Sequence, residues 1–293
     1  MFFRWYIGLF WLNNVIKYQQ MGKKICFLAL YILLSVGCMS QFAFPVVGAR
    51  TGAMGGVSVA LTDFWSALDN VAALHDVGGP AVGVALKQTF MMDRLCYKTL
   101  AFSLPVSEVG AVAMRYTHFG KAIYNEQRLS AAYSQRLGRN VAVGAELCYL
   151  YCGTDDVYYD NYHRISFAVA SQMYITPDFT IGFHVFNPLA VALNAGYNQP
   201  IPSVVRLGMA YSITPDLMAS VELEKNIYMR CSIHSGVEYV FLNSFYARVG
   251  FSTAPLIYTF GVGMERGRWS ADIGTQVHNA LGVSPMLAVM YSI

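Results

Sequence analysis

Apolar and polar positions alternate along most of the chain, from residue 81 to residue 293. The unit is roughly ten alternating residues followed by a turn, and it recurs about fourteen times. The stretch 141–151 shows the pattern. One parity reads Val141, Val143, Ala145, Leu147, Tyr149, Tyr151; the other reads Ala142, Gly144, Glu146, Cys148, Leu150. Side chains alternate across a strand, so one face is apolar and the other small or polar. A barrel closed in lipid requires this arrangement, apolar outward and polar inward. The pattern therefore predicts an all-β fold, a transmembrane antiparallel β-barrel of about fourteen strands. The strands are expected at 81–92, 97–106, 110–119, 125–137, 141–152, 163–175, 179–187, 202–213, 217–226, 231–242, 244–253, 256–265, 269–278 and 281–293.

The connections alternate too. Tight turns are expected at Leu137-Gly138-Arg139-Asn140, Thr176-Pro177-Asp178, Thr214-Pro215-Asp216, Leu242-Asn243-Ser244 and Arg266-Gly267-Arg268. Pro, Gly, Asn and Asp favour turns through their backbone dihedrals. Longer connections fall at 153–162 and 187–201. Bacterial barrels place short turns in the periplasm and longer loops outside, and an even strand count leaves both barrel ends periplasmic.

Charge placement sharpens the register. Arg115, Glu146, Arg164, Arg206, Glu222, Glu238, Arg248 and Asp272 all fall on the parity opposite the apolar one. So do Lys87, Arg128, Arg136, Glu224 and Glu265. An Arg facing mid-bilayer lipid would cost about 2–4 kcal/mol, so the segregation is expected. Both signs occur, which predicts ion pairs across a packed or plugged lumen and no wide one-sign pore.

Composition agrees. The chain is 55 % hydrophobic and only 13 % charged, with mean hydropathy +0.40. Beyond residue 40 no apolar run is long enough for a helical span. Closed barrels are the other structure that satisfies backbone polar groups in lipid. A soluble β-sandwich would carry more surface charge. The 20 Tyr and 18 Phe suit interfacial girdles. A net charge of +3 gives no footprint for nucleic acid.

Residues 1–40 read as an upstream extension and a signal peptide starting at Met21. Lys23 and Lys24 precede a hydrophobic run over 25–37, and small residues precede a cut at Gln41. A membrane helix, or lipoprotein cleavage before Cys38, are the alternatives. The expected localisation is the outer membrane of a Gram-negative bacterium. Cys148 and Cys152 lie four residues apart on one face, about 13 Å along the strand, too far for a disulfide.

Residues 41–80 do not alternate and are expected to form a lumen plug before the barrel at 81–293. Small residues dominate 48–60, where backbone can approach backbone closely. A phosphate-cradling loop would need a Lys-Ser/Thr ending, which is missing. Asp63 is placed to cap a short helix. The plug-motif residues are Gly48, Ala49, Arg50, Met54, Gly55, Gly56, Asp63 and Asn70.

With Val59-Ala60, Ala67 and Val71-Ala72-Ala73-Leu74, these residues resemble the N-terminal signature of the PorV/PorQ group of outer-membrane proteins. That signature runs Gly-Ala-Arg, Met-Gly-Gly, Val-Ala, an Asp, then Asn-Pro-Ala-Gly-Leu. Val71 and Ala73 depart from it, and the chain ends on Ile293 instead of an aromatic residue. The group lies within the FadL-like barrel superfamily. The resemblance implies an accessory of a type IX-like secretion pathway, with secretion-system proteins or secreted cargo as partners beside outer-membrane lipid. The alternative is a FadL-like channel for hydrophobic small molecules, with a plug and a lateral opening. An apolar lumen pocket would favour the channel.

No chemistry is expected of the chain itself. His234 and Ser235 are neighbours on one strand and point to opposite faces; His163 and Ser166 also differ in parity. Asp155, Asp156, Asp160 and Asn161 match no calcium-loop spacing. No cofactor or metal is expected. Tyr158, Tyr159, Asp160 and Tyr162 form the candidate partner-binding loop, since tyrosine is enriched at binding surfaces.

Overall fold

A computed structural model describes residues 46, 48–121, 123–155, 161–194 and 199–293; for 192–194 and 199–200 it describes the backbone alone. Two short helices, α1 (Ala49–Ala53) and α2 (Phe64–Asp69), and a 3-10 turn over Val71–Val77 precede the sheet. The strands follow as β1 (Ala81–Gln88), β2 (Cys96–Pro105), β3 (Gly110–Lys121), β4 (Tyr124–Leu137), β5 (Val141–Thr154), β6 (Tyr162–Thr176) and β7 (Phe179–Phe186). After a small hairpin of β8 (Ala192–Asn194) and β9 (Gln199–Pro200) come β10 (Val204–Thr214), β11 (Leu217–Asn226), β12 (Ser232–Phe241) and β13 (Phe245–Thr253). The sheet ends with β14 (Leu256–Arg266), β15 (Trp269–His278) and β16 (Gly282–Ser292).

All strands except β8 and β9 form one closed antiparallel barrel of 14 strands, in sequence order around the ring. The seam runs from Ala81 opposite Ser292 to Lys87 opposite Met286. Closure leaves no sheet edge, which is what a strand-built protein needs in hydrocarbon. The expected parity holds in three dimensions. Leu147, Ile165, Val262 and Ile273 face outward and are more than half exposed to the surroundings, which here are lipid. Glu146, Arg248, Asp272 and Glu222 face inward and are buried. Aromatic pairs, Trp269 with Tyr291 and Phe241 with Phe245, sit at the turn ends of their strands, where interfacial girdles belong.

The rim that carries the tight turns and both barrel ends is the turn rim; the other is the loop rim. The wall is uneven. β6 has 15 residues and β7 only 8. Their ladder begins at Ala168 opposite Phe186, so 162–167 of β6 extends past the end of β7. There the chain turns inward at Asn187, which has φ 51°. The Asn187 side chain accepts from Ser166 Oγ (3.1 Å) and donates to the Ile201 carbonyl (2.9 Å). Ile201 is buried against Leu150, Cys152 and Phe186.

Two expectations change. β1 does not run to residue 92: it stops at Gln88, and a 3-10 turn over Thr89–Met91 follows. Thr89 N–H bonds the Leu95 carbonyl, Phe90 N–H bonds Ser284 Oγ, and Phe90 and Met91 take positive φ, which no strand permits. The connection 187–201 also carries the β8–β9 hairpin. Cys96, Cys148, Cys152 and Cys231 are free thiols.

Because Leu147 faces lipid near the middle of β5, Leu147→Arg is expected to cost about 2–4 kcal/mol in reversible unfolding from lipid vesicles. A loss below 0.5 kcal/mol would mean that the register is shifted by one residue.

Candidate functional site

The inward parity is built from small residues, and residues 48–77 occupy the space they leave. Ala81, Ala85, Ala101, Ala111, Ala113, Ala142, Ala170 and Ala288 line one side and pack against Trp65, Leu68, Val71 and Leu74. Glycine is required where the segment's backbone touches the wall. A Cβ on Gly182 would collide with the Val59 carbonyl, and one on Gly236 would collide with Met54.

Local capping shapes the segment. Asp63 caps α2 by accepting from Trp65 N–H (3.1 Å) and Ser66 N–H (3.4 Å). Asn70 caps the 3-10 turn through Ala72 N–H (3.2 Å), and its amide donates back to the Val59 carbonyl. Gly55 and Gly56, with φ 77° and 93°, reverse the chain after α1.

Polar wall residues then hold the segment's backbone. Glu222 accepts from the N–H groups of Ser58 (2.7 Å) and Val59 (3.0 Å). The Thr259 hydroxyl accepts from Gly55 N–H (2.8 Å) and donates to the Ala53 carbonyl (2.7 Å). Gln172 donates to the Leu61 carbonyl (3.2 Å) and Ser134 to the Ala72 carbonyl (2.9 Å).

Three groups of ion pairs complete the lumen. In the first, Arg50 pairs with Asp63 and with Glu238 (2.6 Å); Glu238 pairs with Arg248 (2.5 Å), which pairs with Asp272 (2.5 Å). In the second, Arg115 bridges Asp69 (3.4 Å) and Glu146 (2.7 Å), and Glu146 also holds Arg128 (2.8 Å). In the third, Arg206 pairs with Glu224 (2.7 Å) and lies 3.7 Å from Glu222. Burial alone would lower the Arg50 pKa; Asp63 and Glu238 outweigh it and hold the guanidinium well above its ordinary value.

The candidate residues from the sequence thus distribute as follows. Gly48 precedes α1, Ala49 and Arg50 lie in it, and Met54, Gly55 and Gly56 form the reversal after it. Asp63 and Asn70 are caps. Arg115, Glu146, Arg206, Glu222, Glu238, Arg248 and Asp272 meet in the three ion-pair groups. Arg164 lies apart near the loop rim, half-buried, donating to the His163 carbonyl (2.8 Å). Tyr158, Tyr159 and Asp160 lie outside the described residues. Tyr162 opens β6 and is half-buried against the cluster around Leu150 and Cys152. Sequence reasoning passed over Asp69, Thr259, Gln172 and Ser134. The last three carry a readable signal, a polar residue on the inward parity; Asp69 lies in an aperiodic segment and carries none.

The segment does not fill the lumen throughout. A cavity of 270 Å³ lies on the loop-rim side of the segment. Its lining includes the backbone turn Gly55-Gly56, the polar Arg128, Arg206 and His184, and the apolar Phe186, Val204, Met229 and Ile257. His184 is buried, with neither ring nitrogen hydrogen-bonded among the described residues. A second cavity, of 390 Å³, lies on the turn-rim side, lined by Arg50, Ala60, Leu61, Thr62, Ala210 and Met218. Residues 57–61 lie between the two. No group of three or more His, Cys, Asp or Glu is placed to hold a metal ion among the described residues.

This barrel, with an internal segment anchored from all sides, is similar to known structures. A Pseudomonas aeruginosa FadL homologue superposes with a TM-score of 0.64 at 10 % identity, over 86 % of this chain and 100 % of that one. The Pseudomonas putida toluene transporter TodX gives 0.64 at 10 % identity, over 85 % and 99 %. A mutant of the TodX monoaromatic hydrocarbon channel gives 0.65 at 10 % identity, over 86 % and 100 %. The fold is that of the FadL-like outer-membrane barrels. No protein-family model and no curated sequence matches the chain. The apolar belt, the closed sheet and this fold make it an outer-membrane barrel of the Gram-negative type.

Arg50→Ala would leave Glu238 and Asp63 without their shared cation. It is expected to cost about 3 kcal/mol and to admit protease to residues 48–80; unchanged protection would show that the ion pair does not anchor the segment. Gly182→Leu is expected to prevent folding with the segment in place, read as loss of the heat-modifiable folded band. A normal folded band with a protected segment would contradict the close approach of Val59.

Proposed function

We propose that the barrel is a passive conduit for hydrophobic small molecules across the outer membrane, closed by its own residues 48–80. One observation carries this reading: two cavities lie along the lumen on opposite sides of residues 57–61. A short rearrangement of that stretch would join them. The stretch is buried, and its polar anchors are Glu222 on the Ser58 and Val59 amides, Gln172 on the Leu61 carbonyl and Asn70 on the Val59 carbonyl. The cavity facing the loop rim offers a compound the apolar side chains of Phe186, Val204, Met229 and Ile257, set among the charged Lys87, Arg128, Arg206 and Glu224. The FadL-like fold supports the same reading, since the similar proteins include a toluene transporter and a monoaromatic hydrocarbon channel.

A second reading, an accessory of a type IX-like secretion pathway that binds cargo or surface partners, is favoured by a different observation. The residues resembling the PorV/PorQ signature are those that build the segment: Arg50 in the ion-pair chain, Met54-Gly55-Gly56 at the reversal, Asp63 and Asn70 as caps. That role makes the motif a requirement for packing inside such a barrel, and it names no partner.

A deletion strain separates the two. The conduit reading expects several-fold slower uptake of toluene-like compounds, restored by the wild-type gene, with surface-protein export intact. Normal uptake with lost export would overturn it in favour of the accessory.

A further inference from the structure

The outward face of the barrel is almost free of charge, and its exception is concentrated in one place. Lys98, His118, Gln127, Tyr151 and His163 lie directly opposite one another across β2 to β6. Each is within three residues of the loop end of its strand. The next outward row toward the turn rim is Leu100, Tyr116, Leu129, Tyr149 and Ile165, in the same register. A polar, basic row therefore begins where the apolar belt stops. It covers four strand spacings, about 19 Å.

Among the described strand residues no Asp or Glu occupies the outward parity, so nothing on this face neutralises the row. Lys98 has no carboxylate partner among the described residues, and His118 Nδ1 has no hydrogen bond. Tyr149 and His163 are joined through Nδ1 at 2.5 Å, and Tyr116 donates to Gln127 at 3.0 Å, which orders the aromatic row beneath the basic one. At the adjacent loop ends the exposed Arg94 and Lys121 are balanced by the exposed Asp93 and Asp155, so the row's own charge is that of Lys98. Elsewhere in the described strands, outward Lys, Arg or His occurs only at Lys225 and Arg266.

We propose that this row is a binding site for the phosphorylated headgroup of a lipid in the outer leaflet. The chemistry fits each part. A phosphate monoester carries about −1.5 to −2 charges near neutral pH and offers three acceptor oxygens; Lys98 supplies a charge-assisted donor and His118 a ring N–H. Leu100, Leu129 and Ile165 offer the acyl chains an apolar wall directly below, and Tyr116 and Tyr149 fit the headgroup boundary. The loop rim faces outside, so the lipid is one of the outer leaflet. Free phosphate would use only the upper row. The site is independent of what passes through the lumen.

The test is native mass spectrometry of the full barrel in detergent with added lipid A, dephosphorylated lipid A or phosphatidylcholine. Wild type should retain lipid A at least about tenfold better than the other two. The double variant Lys98→Ala, His118→Ala should lose that preference and keep the heat-modifiable folded band, because both side chains point away from the core. Lys225→Ala, on the far side, should bind as wild type does. Undiminished retention by the double variant would overturn the proposal. So would equal retention of dephosphorylated lipid A, or full displacement by millimolar inorganic phosphate, which would assign a free-phosphate site.

Discussion

In hydrocarbon an unpaired backbone N–H or C=O costs several kcal/mol, and the rest of this molecule follows from meeting that constraint by closure. Once β1 pairs with β16, each barrel strand has a partner on both sides. Closure fixes which parity faces lipid, and the apolar parity can face only outward. The inward parity is then enclosed, and its volume has to hold something. Short alanine and glycine side chains do not fill a ring of 14 strands, so the chain supplies residues 48–77 as filling.

That filling brings polar backbone into an enclosed space, which raises the same constraint again. The wall answers with side chains: Glu222, Thr259, Gln172 and Ser134 take up the amides and carbonyls that short helices leave open. The ion pairs contribute differently. A buried pair is roughly neutral against an apolar alternative, yet removing one partner is costly. Arg50 to Glu238 and Asp69 to Arg115 therefore specify where the segment sits more than they add stability. Such anchoring suits a closure fixed at Arg50 and Asp69, with the buried stretch 57–61 held between the cavities by Glu222, Gln172 and Asn70.

Much of the barrel was legible in the sequence because its period is strict. Leu147 and Glu146, or Val249 and Arg248, fall on opposite parities, and an Arg facing mid-bilayer lipid would cost about 2–4 kcal/mol. The tight turns at Pro177, Pro215 and Gly267 are local, and local dihedral preference marks them. The end of β1 was not legible, since Phe90 and Met91 look like strand residues and their positive φ is imposed by bonds to Leu95 and Ser284. The cavities were also invisible. Whether small and charged side chains pack solid or leave 270 Å³ depends on distances across the ring, which no periodicity encodes. The basic row was hidden for a related reason: Lys98, His118 and His163 are far apart in sequence and meet only through the register of five strands.

The central claim is that residues 48–80 close a lumen that would otherwise conduct. Planar-bilayer recording of the purified barrel tests it most directly. The account predicts no steady ohmic current from wild type, and repeated openings when Arg50→Ala and Glu222→Ala are combined to release the first helix of the segment and the stretch 57–61. A steady open-pore current from wild type, or silence from a folded double variant, would contradict it.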